Sequence, residues 1–221
     1  MRRPRALDLF CKAGVVTKGL QRAGYYVVGV DIEPQPNYCG DEFIQADALT
    51  VDLGDYDLYC ASPPCQFGSE LTPSSHRANH PNLIPATRER LIATGKPYVI
   101  ENVEGVRRHL INPIKLCGTM FGLPIWRHRY FEAPFLPLLL VPPCRHDFHP
   151  VVVSGQTNRR VNGKRPVVLT QTRRDAMGID WMAKEELKQA IPPAYSEFLG
   201  RAVLAYTETC ELSACGASSP A

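Results

Sequence analysis

The cysteine in the segment SPPCQ, residues 62–66, is the first candidate for chemistry in this chain. Cys65 comes directly after an apolar run that two prolines stop, and prolines hold the backbone rigidly. A thiolate in that position can attack an electrophilic carbon. The alternative is a buried, inert thiol, which is the commoner fate of a free cysteine and the one expected for Cys60 inside the run.

Two further segments place polar side chains beside apolar runs. In VIENV, the acid Glu101 follows a strand-like run, and a partly desolvated acid can have a raised pKa and donate a proton. In RHRYFEA, Arg127 and Arg129 flank His128 and share one face of an extended chain. Guanidinium groups suit phosphate or a base carbonyl, although a solvated pair on an edge strand is the alternative.

The elements that must position these residues alternate along the first half of the chain. Strands are expected at 5–10, 25–33, 41–49, 56–64 and 96–103, and helices at 15–24 and 83–95. This order predicts an α/β fold with a mostly parallel sheet. Ligands of such sheets bind outside the carboxyl ends of the strands. Four candidates fall at those ends: Asp31, Asp47, Cys65 and Glu101. For Asp47 alone, a solvated surface carboxylate is the favoured interpretation.

The composition fits one ordinary domain. The chain has 221 residues, a formal net charge of +3 and eight cysteines without a CxxC pair. No apolar run approaches the roughly 20 residues of a membrane span, and the N-terminus lacks the apolar region of a signal peptide. We therefore expect a cytoplasmic protein with mostly free thiols and no membrane partner.

Regular patterns decay between residues 134 and 180 and return in two helical patterns joined by Pro192 and Pro193. Basic side chains in this region follow one another without an acid between them: Arg159, Arg160, Lys164, Arg165, Arg173 and Arg174. They suit nucleic-acid phosphates, although a solvated basic surface is the alternative.

The segment CRHDFH raises the question of zinc, because it holds Cys144, His146 and His149. It lacks a clear fourth ligand, although Cys117 could fold back, and ligand spacing this partial is more often coincidence. The sequence therefore predicts no metal.

Taken in order, the segments DLFCKAG, GVDIE, DAL, SPPCQ, ENV and RHRYFEA resemble the conserved blocks of cytosine-5 DNA methyltransferases. The segments DAMGIDWM and AIPPAYSEFLG are similar to the C-terminal blocks of compact, phage-type members. The resemblance extends to about Leu204. It implies a Rossmann-like methyltransferase fold with a short target-recognition insertion, S-adenosylmethionine as cofactor and double-stranded DNA as partner.

The resemblance also implies roles. Cys65 attacks carbon 6 of a flipped-out cytosine, Glu101 holds the ring and supplies a proton, and Arg127 and Arg129 hold the base carbonyl and its neighbours. The polar loop 67–82 would close as a lid. The cofactor would contact Phe10, Cys11, Lys12, Gly14, Asp31, Ile32, Asp47, Ala48 and Pro64. DNA would contact Gln66, Ser69, Arg159, Arg160, Lys164 and Arg165.

On this interpretation the chain divides into a catalytic and cofactor-binding core (1–141), a target-recognition segment (142–180), returning helices (181–207) and a disordered tail (208–221). We expect a monomer without an obligate protein partner, in a bacterial cell or phage-infected host, acting in restriction–modification or alone. Two alternatives stay open: an enzyme acting on RNA or a free cytosine nucleotide, and an inactive DNA- or SAM-binding module.

Four residues depart from the family pattern: Lys12 and Val15 replace glycines of the cofactor loop, Gly68 replaces an aromatic residue and Ile125 replaces a glutamine. Three interpretations of Lys12 compete. The favoured one gives it a negative φ and sends its side chain to solvent. In the second, its ammonium reaches the cofactor carboxylate or an acid such as Asp31. In the third, it selects a cofactor with an extra carboxylate.

Overall fold

Seven strands form one sheet within the residues that the structure, a computed structural model, describes, namely 2–69, 72–136, 141–154 and 168–216. The strands are β1 Arg5–Leu9, β2 Tyr26–Asp31, β3 Glu42–Gln45, β4 Leu58–Ala61, β5 Tyr98–Asn102, β6 Ile114–Leu116 and β7 Arg129–Glu132. Their order across the sheet is β3-β2-β1-β4-β5-β7-β6. Strands β1 to β5 are parallel, and β7 runs antiparallel to both of its neighbours.

Helices cover both faces of this sheet. The helices are α1 Val15–Ala23, α2 Ser74–Arg77, α3 Ile84–Ala93, α4 Thr170–Met177, α5 Lys184–Gln189 and α6 Pro193–Gly216, with short 3-10 helices at Glu104–His109 and Gly118–Phe121. Alternate residues of the strands point to opposite faces. Helices α1 and α6 pack on one face, against a cluster that includes Ala6, and α3 packs on the other, against a cluster that includes Leu7.

Glycine lets the first and last helices approach closely. A Cβ atom on Gly19 would lie 2.1 Å from the carbonyl oxygen of Pro193 and 2.0 Å from Ser196 Oγ, so no larger residue fits there without moving α6. The end of the described chain is therefore packed directly against α1, which follows the first strand.

The predicted α/β fold is confirmed, and each predicted strand and helix of the first half overlaps an observed one. Helix α6 extends through Gly216, beyond residue 207 at which the returning helices were expected to end, whereas the predicted division into domains stays a prediction. Residues 208–215 contain no proline or glycine that would break a helix. Among the described residues, none of the helices has the length and apolar character needed to cross a bilayer.

A buried ion pair fixes helix α3 to strand β7. Glu132 is fully buried and receives two hydrogen bonds of 2.7 Å from Arg88, one of 3.1 Å from the Tyr98 hydroxyl and one of 2.8 Å from the Ile111 N–H. Each carboxylate oxygen therefore has two donors. Removal of either Arg88 or Glu132 would leave the other charge buried without a counter-charge, which lowers the free energy of unfolding.

We expect Glu132→Ala to lower the free energy of unfolding by about 3–5 kcal/mol, since it leaves the Arg88 guanidinium without its counter-charge. Urea unfolding measures the change. The matched control is Glu197→Ala, which removes a surface pair with Arg201 on α6 and should cost about 0.5 kcal/mol. Equal effects of the two substitutions would contradict the assignment of Glu132 to a structural pair.

Candidate active site

Cys65 lies in a tightly turned loop at the carboxyl end of β4. Its carbonyl oxygen accepts the N–H groups of Gly68 at 3.1 Å and Ser69 at 2.9 Å, which closes a turn directly after the cysteine. The side chain of Asn102, at the end of the neighbouring strand β5, donates to the carbonyl of Pro63 at 2.9 Å. Asn102 is buried, so it fixes the position of the two prolines that precede Cys65.

Gly68 allows this loop to pack against the loop after β5. A Cβ atom on Gly68 would lie 2.5 Å from a Val106 methyl group, and one on Gly105 would lie 2.1 Å from the carbonyl oxygen of Gly68. The Val106 side chain leaves no room for a side chain at Gly68, and the Gly68 backbone leaves none at Gly105, which accounts for a glycine where the resembling family has an aromatic residue. No side chain of any size fits at that contact without moving one of the two loops.

Glu101 and Arg129 form an ion pair beside Cys65. Arg129 Nε lies 3.0 Å from Glu101 Oε1, and both side chains are largely buried. Burial raises the pKa of Glu101, and the positive charges of Arg129 and Arg127 offset this only in part. Burial also raises the pKa of the Cys65 thiol, and the charge of Glu101 adds to the shift, whereas Arg129 opposes it. At neutral pH the resting cysteine is therefore a thiol.

Arg127 is held by its backbone and by one end of its side chain. Its carbonyl oxygen accepts the Tyr195 hydroxyl at 2.5 Å, and its Nη2 donates to the carbonyl of Lys188 at 2.7 Å. Its Nε is buried and has no hydrogen-bond partner among the described residues. Burial, reinforced by the like charge of Arg129, lowers the pKa of Arg127 to about 9. This donor is free to meet an acceptor on a ligand.

The loop after β1 has a strained backbone at alternate residues. Phe10, Lys12 and Gly14 have φ angles of 59°, 48° and 85°, all in the left-handed region. Such conformations cost a residue with a side chain about 1–2 kcal/mol and cluster at ligand sites. The Lys12 N–H compensates by donating to the buried carboxylate of Asp31 at 3.1 Å.

The favoured interpretation of Lys12 is wrong about the backbone angle and only partly right about the side chain. Its φ is positive, and its Nζ lies 3.7 Å from Asp31 Oδ1 and 3.5 Å from Glu33 Oε2. The side chain is half exposed but directed to these acids, as the second interpretation proposes for Asp31. The hydrogen bond from the Lys12 backbone to Asp31 explains how a non-glycine residue tolerates this conformation.

The other residues predicted to bind the cofactor lie at the carboxyl edge of the sheet. Asp31 ends β2 and also accepts the Glu33 N–H at 3.1 Å. Ile32 is 65% exposed, which is unusual for a large apolar residue. Asp47 is exposed and accepts the Leu49 N–H at 2.9 Å. The remaining residues range from buried Cys11 and Ala48 through half-buried Phe10 to exposed Pro64.

The residues predicted to bind DNA are only partly described. Gln66 is exposed beside Cys65, whereas Ser69 is buried in the turn that follows. Arg159, Arg160, Lys164 and Arg165 lie outside the described residues. The metal-ligand candidates Cys144 and His146 lie close to Cys117. The fourth side chain of this group is that of His128, and His149 does not belong to it.

Sequence reasoning missed residues that support the loop after β1, one of them from far along the chain. Trp181 donates from its indole N–H to the carbonyl of Ala13 at 2.8 Å. Ala13 and Ile125 belong to one buried cluster with side chains of α4 and α5, so Ile125, which departs from the pattern that the sequence resembles, is a core residue. Asp8, fully buried in β1, accepts the Thr17 N–H and hydroxyl, and burial raises its pKa to about 7. No local pattern marks these contacts.

The charges around Cys65 predict opposite effects of two substitutions on its thiol. Glu101→Gln removes the negative charge that raises the pKa of Cys65, so the pH midpoint of its alkylation by iodoacetamide should fall. Arg129→Gln removes an opposing positive charge, so the midpoint should rise. Mass spectrometry of the peptide containing Cys65 measures the reaction separately from the other cysteines. Shifts in the same direction for both variants would contradict this electrostatic arrangement.

The positive φ of Lys12 predicts that Lys12→Gly is more stable than Lys12→Ala by about 1 kcal/mol, because only glycine relieves the strain. Both variants lose the same ammonium, so thermal or urea unfolding compares the backbone alone. Lys18, inside helix α1, is the matched control. There the order should reverse by about 1 kcal/mol in favour of alanine. An alanine variant at Lys12 as stable as the glycine variant would rule out the left-handed conformation.

Comparisons with known proteins identify solved structures with a similar fold. Neither a protein-family model nor a curated protein sequence matches the chain. The solved structure of the Entamoeba histolytica methyltransferase EhMeth aligns with a TM-score of 0.63 and 13% identity, over 93% of this chain and 99% of its own.

Two other solved structures align over smaller parts. One is a putative DNA modification methyltransferase encoded within an E. coli prophage, with a TM-score of 0.47, 22% identity and coverage of 68% of this chain and 53% of its own. The other is S. pombe Dnmt2 methyltransferase, with a TM-score of 0.44, 23% identity and coverage of 60% and 49%. This chain spans about half the length of these two proteins. The sheet order and the similarity to EhMeth establish a Rossmann-like methyltransferase fold.

Proposed function

We propose that this protein is a DNA (cytosine-5)-methyltransferase that uses S-adenosylmethionine and forms a covalent bond between Cys65 and the target base. The observation that carries the proposal is the convergence of a thiol, a carboxylic acid and two arginines at the carboxyl ends of β4 and β5 and the start of the antiparallel strand β7. Cys65, Glu101, Arg127 and Arg129 interact electrostatically there, and Glu101 pairs directly with Arg129. The methyltransferase fold shared with EhMeth supports the assignment of methyl transfer.

The four side chains match what carbon 5 of cytosine requires. This carbon is a poor nucleophile until a thiolate adds to carbon 6 and makes the ring enamine-like. Burial raises the pKa of Glu101, which makes this acid easier to protonate than an exposed one, and its protonated form can donate to the ring nitrogen as Cys65 attacks. The Cys65 thiol gives up its proton to water before attack, and Arg129 stabilises the thiolate. After methylation, water takes the hydrogen of carbon 5 as a proton, and the electron pair left behind forms the double bond between carbons 5 and 6 as the bond to Cys65 breaks. The sulfur leaves as a thiolate, and the proton on the ring nitrogen returns to Glu101.

Arg127 contributes the donor that has no partner within the protein. Its buried Nε suits the carbonyl oxygen of a base inserted between Cys65 and Glu101. A base cannot reach these residues inside a stacked duplex, so it must be flipped out at a cost of roughly a few kcal/mol. The turn after Cys65 leads into the loop 67–82, which on this proposal covers the flipped base.

The residues at the ends of β1, β2 and β3 fit S-adenosylmethionine. Asp31 keeps unused acceptor lone pairs after accepting the N–H groups of Lys12 and Glu33, and a ribose hydroxyl can donate to them. The exposed side chain of Ile32 offers an apolar surface for the adenine ring. When bound, the cofactor supplies an electrophilic methyl group. The remaining contacts of the cofactor on this proposal are Phe10, Cys11, Lys12, Gly14, Asp47, Ala48 and Pro64.

Trapping on a modified base tests the covalent step. A duplex with 5-fluorocytosine at the target should form a stable adduct with the wild type in the presence of S-adenosylmethionine, because fluorine cannot leave as a proton. Cys65→Ser should form none.

Glu101→Gln keeps the shape of the side chain but cannot donate a carboxylic proton, so turnover should fall by roughly 10²–10⁴-fold with little change in DNA affinity.

The matched control for the nucleophile is Cys210→Ser, an exposed cysteine of α6, which should leave adduct formation unchanged. Bisulfite sequencing of DNA from expressing cells identifies the target sequence, and parallel assays with duplex DNA, tRNA and dCMP distinguish the substrate classes. An adduct that persists in Cys65→Ser would remove this residue from the mechanism. Methylation of tRNA or dCMP in place of DNA would contradict the proposed DNA substrate but leave the proposed role of Cys65 in place.

A further inference from the structure

Four sulfur- and nitrogen-bearing side chains outside the catalytic cluster point at one another. They are Cys117, His128, Cys144 and His146, and their ligand atoms all lie within 4.8 Å of one another. The two cysteines and two histidines form the donor set that tetrahedral zinc prefers. Ligand atoms around zinc, at bond lengths of about 2.0–2.3 Å, lie roughly 3.3–3.8 Å apart, so small adjustments suffice to bring this set into coordination.

The individual contacts favour metal ligation over chance proximity. Cys117 Sγ lies 3.4 Å from His146 Nε2, close to the separation of a sulfur and a nitrogen ligand on one ion. His128 Nε2 is buried and has no hydrogen-bond partner among the described residues. A buried imidazole nitrogen without a partner is costly, and a metal ion would satisfy it.

Neighbouring groups orient these ligands, as groups around structural zinc sites commonly do. The Thr119 hydroxyl donates to Cys117 Sγ at 3.3 Å and itself accepts the Arg145 N–H at 3.0 Å. The indole of Trp126 stacks on the His146 imidazole with ring centroids 4.7 Å apart. These contacts hold Cys117 and His146, which lie far apart in the sequence, in one geometry.

The position of the cluster explains what a metal would contribute. Cys117 follows β6 and His128 directly precedes β7, whereas Cys144 and His146 belong to 141–154, a segment that contains neither helix nor strand. Val153 at the end of the segment is buried, and Val141 and Val151 pack against core clusters. Between them, residues 142–149 are exposed except for half-buried Cys144, and small irregular units are commonly stabilised by a structural metal. A shared ion would fasten the segment to two strands of the sheet.

We propose that Cys117, His128, Cys144 and His146 form a structural zinc site that anchors the segment 141–154 to the catalytic sheet. All four positions are filled by protein ligands, so the site is closed and has no catalytic position. The proposal does not depend on the substrate of the enzyme. In the segment CRHDFH, the site uses Cys144 and His146 but not His149. The remaining ligands are Cys117 and His128, the histidine of RHRYFEA.

Metal analysis of the purified full chain tests the site. We expect one zinc ion per chain after gel filtration, and a lower melting temperature after removal of zinc with a chelator. Replacement by cobalt should give the visible absorption of a tetrahedral ion and a sulfur-to-cobalt charge-transfer band. Because Cys117 is buried and its variants could fail to fold, Cys144→Ser and His146→Gln carry the test.

Both variants should weaken zinc binding by at least roughly tenfold, the lower end of what outer-shell changes cause, and His128→Gln should do the same. The matched controls are His149→Gln and Cys210→Ser, which should keep one zinc per chain. A protein that folds without zinc and takes up none when zinc is added would overturn the proposal. So would a Cys117–Cys144 disulfide in the freshly purified protein, or equal loss of zinc in His149→Gln.

Discussion

Desolvated charge at the carboxyl end of β5 is the constraint on which the site depends. Glu101 can be buried there because Arg129 lies beside it on the antiparallel strand β7. Burial nevertheless moves the pKa values of Glu101, Cys65 and Arg127 away from their ordinary ranges, in each case toward the neutral form. The thiol is thus harder to ionise, the acid easier to protonate and the guanidinium easier to deprotonate than exposed groups of the same kind. A substrate that supplies an acceptor for Arg127 alters this balance directly.

The rigidity of the site comes from contacts between backbones and short polar side chains. Asn102 holds the segment before Cys65, and the contact between Gly68 and Gly105 holds the segment after it. At the carboxyl end of β1, Trp181 and the backbone hydrogen bond between Lys12 and Asp31 hold the loop that follows. Elements from both halves of the chain therefore determine the geometry at one sheet edge.

Features that depend on a local sequence pattern, such as the strands, could be predicted from the sequence. Features that depend on contacts between distant residues could not. Alternating apolar runs and their ends give the strands of the sheet, and with them the edge where Cys65 and Glu101 lie. The conformation of Lys12 could not be predicted, because the carboxylate that stabilises it is on β2. The partnership of His128 with Cys117 and Cys144 was equally hidden, since β6 and β7 bring them together only after pairing. The function of Gly68 depends on Gly105, which belongs to another loop.

The close packing of α1 on α6 has a consequence for synthesis on the ribosome. Helix α1 is synthesised well before the surface that covers it, which includes the Pro193 carbonyl and Ser196 beside Gly19. The apolar residues of α1 must therefore stay without their final neighbour until α6 has been made. Contacts between such distant parts of a chain form slowly, so the nascent protein exposes an apolar surface that a chaperone can recognise.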